Sequence, residues 1–383
     1  GYIGLEVAEA FRHRGLQVTL VERLPHVLAL ADAEMAAPLH AELRAHGIDL
    51  RLETSVVAFE PEGEGFRARF DDGSDASYDL GILAVGVKPE TALARAAGLA
   101  LGPTGGIRVD AQMRTSDPSI WAVGDAVEVT DFATGQPALI PLAGPANRQG
   151  RIAADAILGL PSRYTASQGT AIVKVFGLTF AMTGASEHRL RQLGRAVQAI
   201  HLHPADHATY YPGAQLIHLK VCFEPETGRL LGAQAVGRSG VDKRIDVLAV
   251  AQRAGLTVED LQDLELCYAP PYGSAKDAVN MAGFIASNLR RGDIQLWEPS
   301  EPMNDALLLD VRTPEEYAQG TIPGAQNTPL DELRDRLEDL PQDRELRLFC
   351  QVGLRGYLAC RLLHQHGFRV RNLSGGYLRW QME

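Results

Sequence analysis

At 383 residues, 45% hydrophobic and 22% charged, the chain has the make-up of a folded protein of two or three domains, which excludes an intrinsically disordered one. A formal net charge of −11 opposes nucleic acid and anionic membrane surfaces as partners. No apolar run approaches the ~20 residues needed to cross a bilayer, and no signal peptide is visible in these residues.

The chain opens GYIGLEVAEAFRHRGLQVTLVERLP. Ile3, Val7, Ala8, Ala10 and Phe11 give one helical face, and QVTLVE then alternates as a strand. A glycine-started helix followed by a strand ending in an acid is the second half of a dinucleotide-binding unit. Gly1 and Gly4 stand as the second and third glycines of G-x-G-x-x-G, so the chain is expected to start inside that motif, with further sequence upstream. The glycines let amides at the helix N-terminus approach a pyrophosphate. Glu22 ends the strand, where an acid accepts from a ribose 2′-OH, which favours NAD; Arg23 beside it would tolerate a 2′-phosphate. A helix beside a surface glutamate is the plainer alternative.

A helix (AEMAAPLHAELRAHGI), a strand (DLRLETSVVAFE) and a hairpin turning at Asp72-Gly73 follow. DLGILAVGVKPET reads as an apolar strand leading into a turn at Gly86. In Thr115–Ala126 a strand of small residues ends at Gly124-Asp125, projecting a carboxylate past a sheet edge, where ligands bind in α/β folds; an Asp helix cap is the alternative. IPLAGPANRQGRIAADAILG is a turn that becomes a helix.

From Tyr164 to Asn288 strands and helices continue without nucleotide-type glycine turns, with Glu226-Thr227-Gly228 as a hairpin tip. YAPPYGSAK, Tyr268–Lys276, presents two hydroxyls around a rigid Pro-Pro, although spacing alone favours packing at an interface. Tyr210-Tyr211 before Pro212-Gly213 is equally open. Residues 291–305, polar with two prolines, read as a linker, and the remainder as a small α/β module. His201, His203 and His207 lack acids at ligand spacing, so no metal site is expected.

Of the four cysteines, none forms a C-x-x-C pair, and they are too sparse for a disulfide scaffold. A reducing cytoplasm is expected, with any important cysteine catalytic. In LRLFCQVGLRGYLACRLL an apolar strand delivers Cys350 to a loop carrying Gly353 and Arg355, just before a helix. Loop amides, the helix N-terminus and the Arg355 charge all stabilise a thiolate and then an anionic persulfide. Cys222, Cys267 and Cys360 read as structural.

Taken together, GYIGLE, AVGVKPET, IWAVGDA, PLAGPANRQGR, GVDKRID, YAPPYGSAKDAVNMAGF, DVRTPEEY and CQVGLRGY resemble the pyridine nucleotide-disulfide oxidoreductase superfamily. Over nearly the whole chain they look like its coenzyme A-disulfide reductase branch with a C-terminal rhodanese domain, a branch that includes NADH-dependent persulfide and polysulfide reductases. The resemblance implies an α/β and α+β multidomain protein. Residues 1–105 would form an NAD(P)-binding Rossmann-like domain and 106–163 the second part of an FAD-binding domain. Residues 164–290 would form an α+β dimerisation domain, 291–305 a linker and 306–383 an α/β rhodanese domain. It implies a homodimer using FAD and NAD(P)H, NADH favoured, with coenzyme A as substrate or bound ligand and small thiols or persulfides as substrates. Asp125 would bind the FAD ribitol, and the backbone at Leu142 and Ala143 would face the flavin. Tyr210 and Tyr268 from the partner subunit would line the catalytic site, Asn147 and Lys276 would contact coenzyme A, and Cys350 would carry the persulfide. The family's first FAD motif and its redox cysteine are expected upstream of Gly1, so these 383 residues alone are expected to bind FAD weakly and not to run the reductase half-reaction. An NADH oxidase or peroxidase, which YAPPY and the tail oppose, and a non-catalytic scaffold for a sulfur-relay rhodanese are the competing readings.

Overall fold

A computed structural model describes residues 1–382; Glu383, the end of the expected C-terminal domain, lies outside the described residues. The opening helix Tyr2–His13 buries Leu5 and Ala8, and strand Val18–Val21 pairs in parallel with Ile48–Arg51. Helix Ala33–Ala45 lies between them in sequence. A three-stranded antiparallel meander follows, Val56–Glu62, Gly65–Phe70 and Asp75–Tyr78. Its second turn is the expected Asp72-Gly73, with Gly73 at φ +84°.

Three sequence expectations give way here. DLRLETSVVAFE is two strands in different sheets, broken where Glu53 adopts φ +51°. DLGILAVGV forms no strand, and Val85 is 89% exposed. Apolar composition favours a strand, but a strand exists only with a neighbour to accept its ladder, and none among the described residues reaches this segment. For the same reason the run before Gly124-Asp125 makes only an isolated bridge, Arg114 to Trp121, beside the short strands Ile107–Arg108 and Val127–Thr130.

The centre of the molecule is a five-stranded antiparallel sheet in the order Gln198–Leu202, Ile217–Phe223, Leu230–Gly237, Leu178–Gly184, Ala171–Val175. The two-residue period sorts its side chains. Ile217, Leu219, Val221 and Ile200 join a core with helices Val241–Ala254 and Ala278–Arg290, each such burial contributing roughly 1.5–3 kcal/mol. The alternate positions, His201, His218, Lys220 and Cys222, therefore fall on the opposite face. On that face Phe180, Met182 and Val236 meet Leu5, Leu39 and Leu43 of the N-terminal helices.

The C-terminal module is a parallel sheet ordered Leu296–Trp297, Val370–Leu373, Leu346–Phe349, Leu307–Asp310, Gln326–Asn327. The expected linker 291–305 is thus corrected: Leu296–Trp297 is an edge strand of this sheet. Trp297 is 1% exposed, and its indole N–H donates to the Leu348 carbonyl at 3.3 Å. Two strand residues inside a polar stretch with prolines carry too little periodicity to be seen in sequence.

Candidate functional site

Strand Leu346–Phe349, buried throughout, ends at Cys350, and helix Leu354–Gln365 starts four residues later. The turn between needs Gly353, whose φ is +100°. The Gly353 N–H donates to Cys350 Sγ at 3.2 Å. The amides of Val352, Leu354 and Arg355 find no acceptor among the described residues, as expected at a helix N-terminus. Cys350, Gly353 and Arg355 are thus brought together as the sequence indicated. Cys350 is only 1% exposed, so its sulfur suits a slender sulfane donor.

The guanidinium of Arg355 is held bidentately by Glu316, with both N–O distances 2.6 Å, and its charge interacts with Cys350. That hydrogen bond, followed by the backbone amide at Thr313, brings the Glu316 carboxyl down to about 2 against the cost of its burial. Glu316 is also the third residue of a capping box with Thr313, which fixes its rotamer at the start of helix Pro314–Ala318. Buried Arg312 donates to the Gln351 side chain at 3.0 Å and to Asp310, anchoring the loop from a neighbouring strand. Sequence reasoning missed Glu316 and Arg312, although Thr-Pro-Glu-Glu is a visible capping box. Burial pushes the thiols of Cys222 and Cys360 up, which sets both apart from a nucleophile.

Behind this loop sits a buried polar cluster that sequence reasoning also missed. Lys220 Nζ lies 2.7 Å from Asp32, 2.5 Å from Glu34 and 2.8 Å from Glu187. The three carboxylates converge as cation ligands would, and the ammonium of Lys220 occupies that place. His201 bridges Glu34 at 3.0 Å and Ser374 Oγ at 3.2 Å, so the N-terminal helix, the central sheet and the C-terminal module meet at one imidazole. Burial, followed by the Arg379 charge, lowers His201 to about 4, leaving it neutral at pH 7.

The Tyr210 and Tyr268 hydroxyls lie 3.1 Å apart on the surface, Tyr210 being 74% exposed. Their mutual hydrogen bond raises the Tyr210 phenol. Gly1 starts helix Tyr2–His13 with open space beside it, and at Gly4 a β-carbon would come 3.3 Å from Ala84. Glu22 follows strand Val18–Val21 and accepts from the Leu24 N–H at 3.0 Å, with Arg23 exposed beside it. Gly86 takes φ +97° in the segment without a strand. Gly124, at φ +85°, donates to buried Gln149 of helix Ala143–Ile157 at 2.7 Å, which brings the Gly124-Asp125 turn against the helix that Leu142 caps. Asp125 is exposed without a hydrogen bond among the described residues. Asn147 donates to the Ala143 carbonyl at 2.9 Å; exposed Lys276 has no carboxylate partner among the described residues, and no hydrogen bond joins the two among them.

Residues 1–150 match the family model for pyridine nucleotide-disulphide oxidoreductase, 170–279 its dimerisation domain and 295–383 a rhodanese-like domain. Over 290 residues the chain is 37% identical to a coenzyme A disulfide reductase of Staphylococcus haemolyticus, covering 76% of this chain and 64% of that protein. It therefore spans just under two thirds of that relative's length. The crystal structure of reduced Bacillus anthracis CoADR-RHD superposes with a TM-score of 0.97 at 47% identity, covering 100% of this chain and 69% of that one. A NAD-dependent persulfide reductase from A. fulgidus gives 0.93 at 38%, covering 99% and 70%. No helix among the described residues is long and apolar enough to cross a membrane. With its nucleotide-type glycine turns, its central antiparallel sheet and its cysteine loop accounted for, the chain belongs to the pyridine nucleotide-disulphide oxidoreductase family, with a rhodanese-like domain at its C-terminal end.

Proposed function

We propose that this protein is an FAD- and NAD(P)H-dependent reductase of coenzyme A disulfide, coenzyme A persulfide or polysulfide, coupled to a sulfurtransferase centred on Cys350. The observation that carries the reading is the Cys350 sulfur accepting the Gly353 amide at the mouth of a strand, beside a guanidinium fixed by Glu316. There the Cys350 thiolate attacks the outer sulfur of a persulfide or thiosulfate, and the donor leaves as thiolate or sulfite with the electron pair of the broken S–S bond. An acceptor thiolate then attacks the outer sulfur of the Cys350 persulfide, and the Cys350 thiolate is the leaving group. No net electrons are consumed in this half.

When bound, FAD and NAD(P)H would supply the two electrons that cleave a substrate S–S bond. The residues fit these groups. Gly1 leaves open space at the N-terminus of a twelve-residue helix, and Asp125 presents a carboxylate without a partner among the described residues. Amides at Gly1 and Gly4 would hold a pyrophosphate, Glu22 a ribose, favouring NADH, and Asp125 with the backbone at Leu142 and Ala143 the flavin side. Tyr210 and Tyr268 would donate to a developing thiolate, and Asn147 and Lys276 would contact coenzyme A. The exposed Tyr210, Tyr211, Leu216 and Tyr272 suit burial against a second copy, which supports a homodimer.

Sulfur transfer is tested by comparing the chain with Cys350→Ser, using thiosulfate or a small persulfide as donor. Transfer should vanish in the variant, and undiminished transfer would defeat the assignment. The reductase half is tested by NADH consumption with coenzyme A disulfide, coenzyme A persulfide or polysulfide; inertness toward all three would remove it.

A further inference from the structure

We infer that Asn372 is a positioning residue for the sulfur loop, holding the Gly353–Leu354 peptide in the orientation that turns its N–H away from the sheet. The inference rests on the sulfurtransferase reading of Cys350.

Four residues separate the last strand residue from the first helical one, and the loop's carbonyls are tied back in an ordered way. The Tyr377 N–H donates to the Cys350 carbonyl at 2.8 Å, and the Leu378 N–H to the Gln351 carbonyl at 2.9 Å. The Gly353 carbonyl accepts twice, from the Tyr357 N–H at 2.9 Å and from Asn372 Nδ2 at 3.0 Å. A peptide unit is planar and trans, so its C=O and N–H point in opposite directions. Drawing the carbonyls of residues 350, 351 and 353 toward the sheet and helix Gly376–Trp380 therefore turns the N–H groups of residues 351, 352 and 354 the other way. Those amides, with the Gly353 N–H already on sulfur, are the dipoles that can receive a thiolate or the terminal sulfur of a persulfide.

Of the four bonds to the loop's carbonyls, the one from Asn372 alone comes from a side chain, so it alone can be removed by substitution. Asn372 is well placed to act rigidly. It lies in the strand Val370–Leu373, paired on one side with Leu296 and on the other with Leu348, and it is 5% exposed. Its Oδ1 has no hydrogen-bond partner among the described residues and lies 2.2 Å from the point where a β-carbon on Gly356 would sit. The bare backbone of Gly356 is thus what admits the Asn372 amide beneath the helix start. An orphaned buried carbonyl oxygen costs stability. A packing role would be filled better by an apolar residue, whereas an amide is required if the Nδ2 donor matters. Asn372 is thus a buried amide of which, among the described residues, only the nitrogen is hydrogen-bonded.

The test compares the unsubstituted chain with Asn372→Ala, Asn372→Asp and Cys350→Ser. Ala loses the donor without adding charge; Asp keeps the shape and, when ionised, loses the donor at the cost of a buried charge. Three measurements are made: sulfur transfer from thiosulfate to cyanide, with sulfite and thiocyanate as products; the pH profile of iodoacetamide addition at Cys350, followed by mass of its peptide; and thermal unfolding. Asn372→Ala should unfold as the parent does, and both variants should transfer sulfur about tenfold or more slowly, chiefly in kcat, and alkylate at Cys350 with a profile displaced to higher pH. Retained rate and profile in Asn372→Ala would overturn the inference, whatever Asn372→Asp does. Loss of fold in both variants would also overturn it, because Asn372 would then be a packing residue of the sheet. A parent chain that transfers no sulfur would instead sink the sulfurtransferase reading, while the alkylation profiles would still judge Asn372.

Discussion

Lys220 Nζ lies 2.7 Å from Asp32 Oδ2, with the two side chains only 2% and 4% exposed. The pair is the hub of a larger arrangement. Asp32 accepts from the Glu187 and His188 amides at 3.1 and 2.9 Å, so a residue of the N-terminal unit caps a helix of the central one. Glu34 passes from Lys220 to His201, and His201 to Ser374 of the C-terminal module. Charge compensation and domain docking are therefore the same structure.

Replacing Lys220 by Met leaves three carboxylates facing one another, with Arg191 still paired to Glu187 but the cation between them gone. Removing one partner of a buried ionic set costs roughly 3–5 kcal/mol, so Lys220→Met should lose about that much in denaturant unfolding. Replacing the whole set by apolar residues should cost far less. A Lys220→Met protein as stable as its parent would show that the cluster is not closed in solution.

Acidification should loosen the same junction. His201 and His218 are each lowered from 6.5 to about 4, in both cases first by burial, and His203 falls well below its ordinary value by burial and then by His218. A folded-state value below the unfolded one means that the unfolded chain binds the extra proton. Stability is thus fully present above pH 6.5 and falls between 6.5 and 4, by about 1.4 kcal/mol per pH unit for each histidine. Arg379 and Lys220 face this cluster and oppose its protonation, while Glu34 favours it. Below 4.5 the depressed carboxylates Glu34 and Glu187 add to the loss, since their ionised forms are what Lys220 holds. Unfolding free energies measured at pH 7, 6 and 5 should decline progressively, and a flat series would refute the account.

Glu316→Gln should slow sulfur transfer about tenfold, because two bonds from Arg355 to a carboxylate become one to an uncharged amide oxygen. The parent should keep its Arg355 geometry down to low pH, since the Glu316 carboxyl titrates near about 2. Its transfer rate should therefore show no loss attributable to Glu316 between pH 7 and 4. An unchanged rate in Glu316→Gln would mean that Arg355 needs no partner to face the sulfur.

What the sequence disclosed and what it concealed divide along physical lines. Gly353 and Arg355 were legible beside Cys350 because strand, loop and helix are contiguous, and local spacing encodes a local turn. The Asp72-Gly73 hairpin was legible for the same reason. His201, Lys220 and Asn372 were not, because their meaning comes from partners 167, 186 and 19 residues away. Leu80 to Val87 misled in the opposite direction. Strand-like composition there reports what the segment could pair with, and the described residues hold no such partner. Leu296–Trp297 is the converse case, a strand made by its neighbour Val370–Leu373 and not by its own composition.

Gly376 offers the sharpest separation of loop geometry from stability. It adopts φ +67°, and a β-carbon there would come 2.6 Å from the Cys350 carbonyl and 2.7 Å from the Gly353 nitrogen. Both are backbone atoms of the sulfur loop, so the loop must yield. Gly376→Ala should cut sulfur transfer on the order of a hundredfold, the scale of a misplacement near 1 Å. Gly367, at φ +84° with nothing within 4 Å of the place a β-carbon would take, carries the same backbone strain away from the loop. Gly367→Ala should therefore be destabilised by that strain alone, with its transfer rate intact while folded. Equal loss of activity in the two variants would mean that strain alone, and not displacement of the Cys350 loop, is what the enzyme feels.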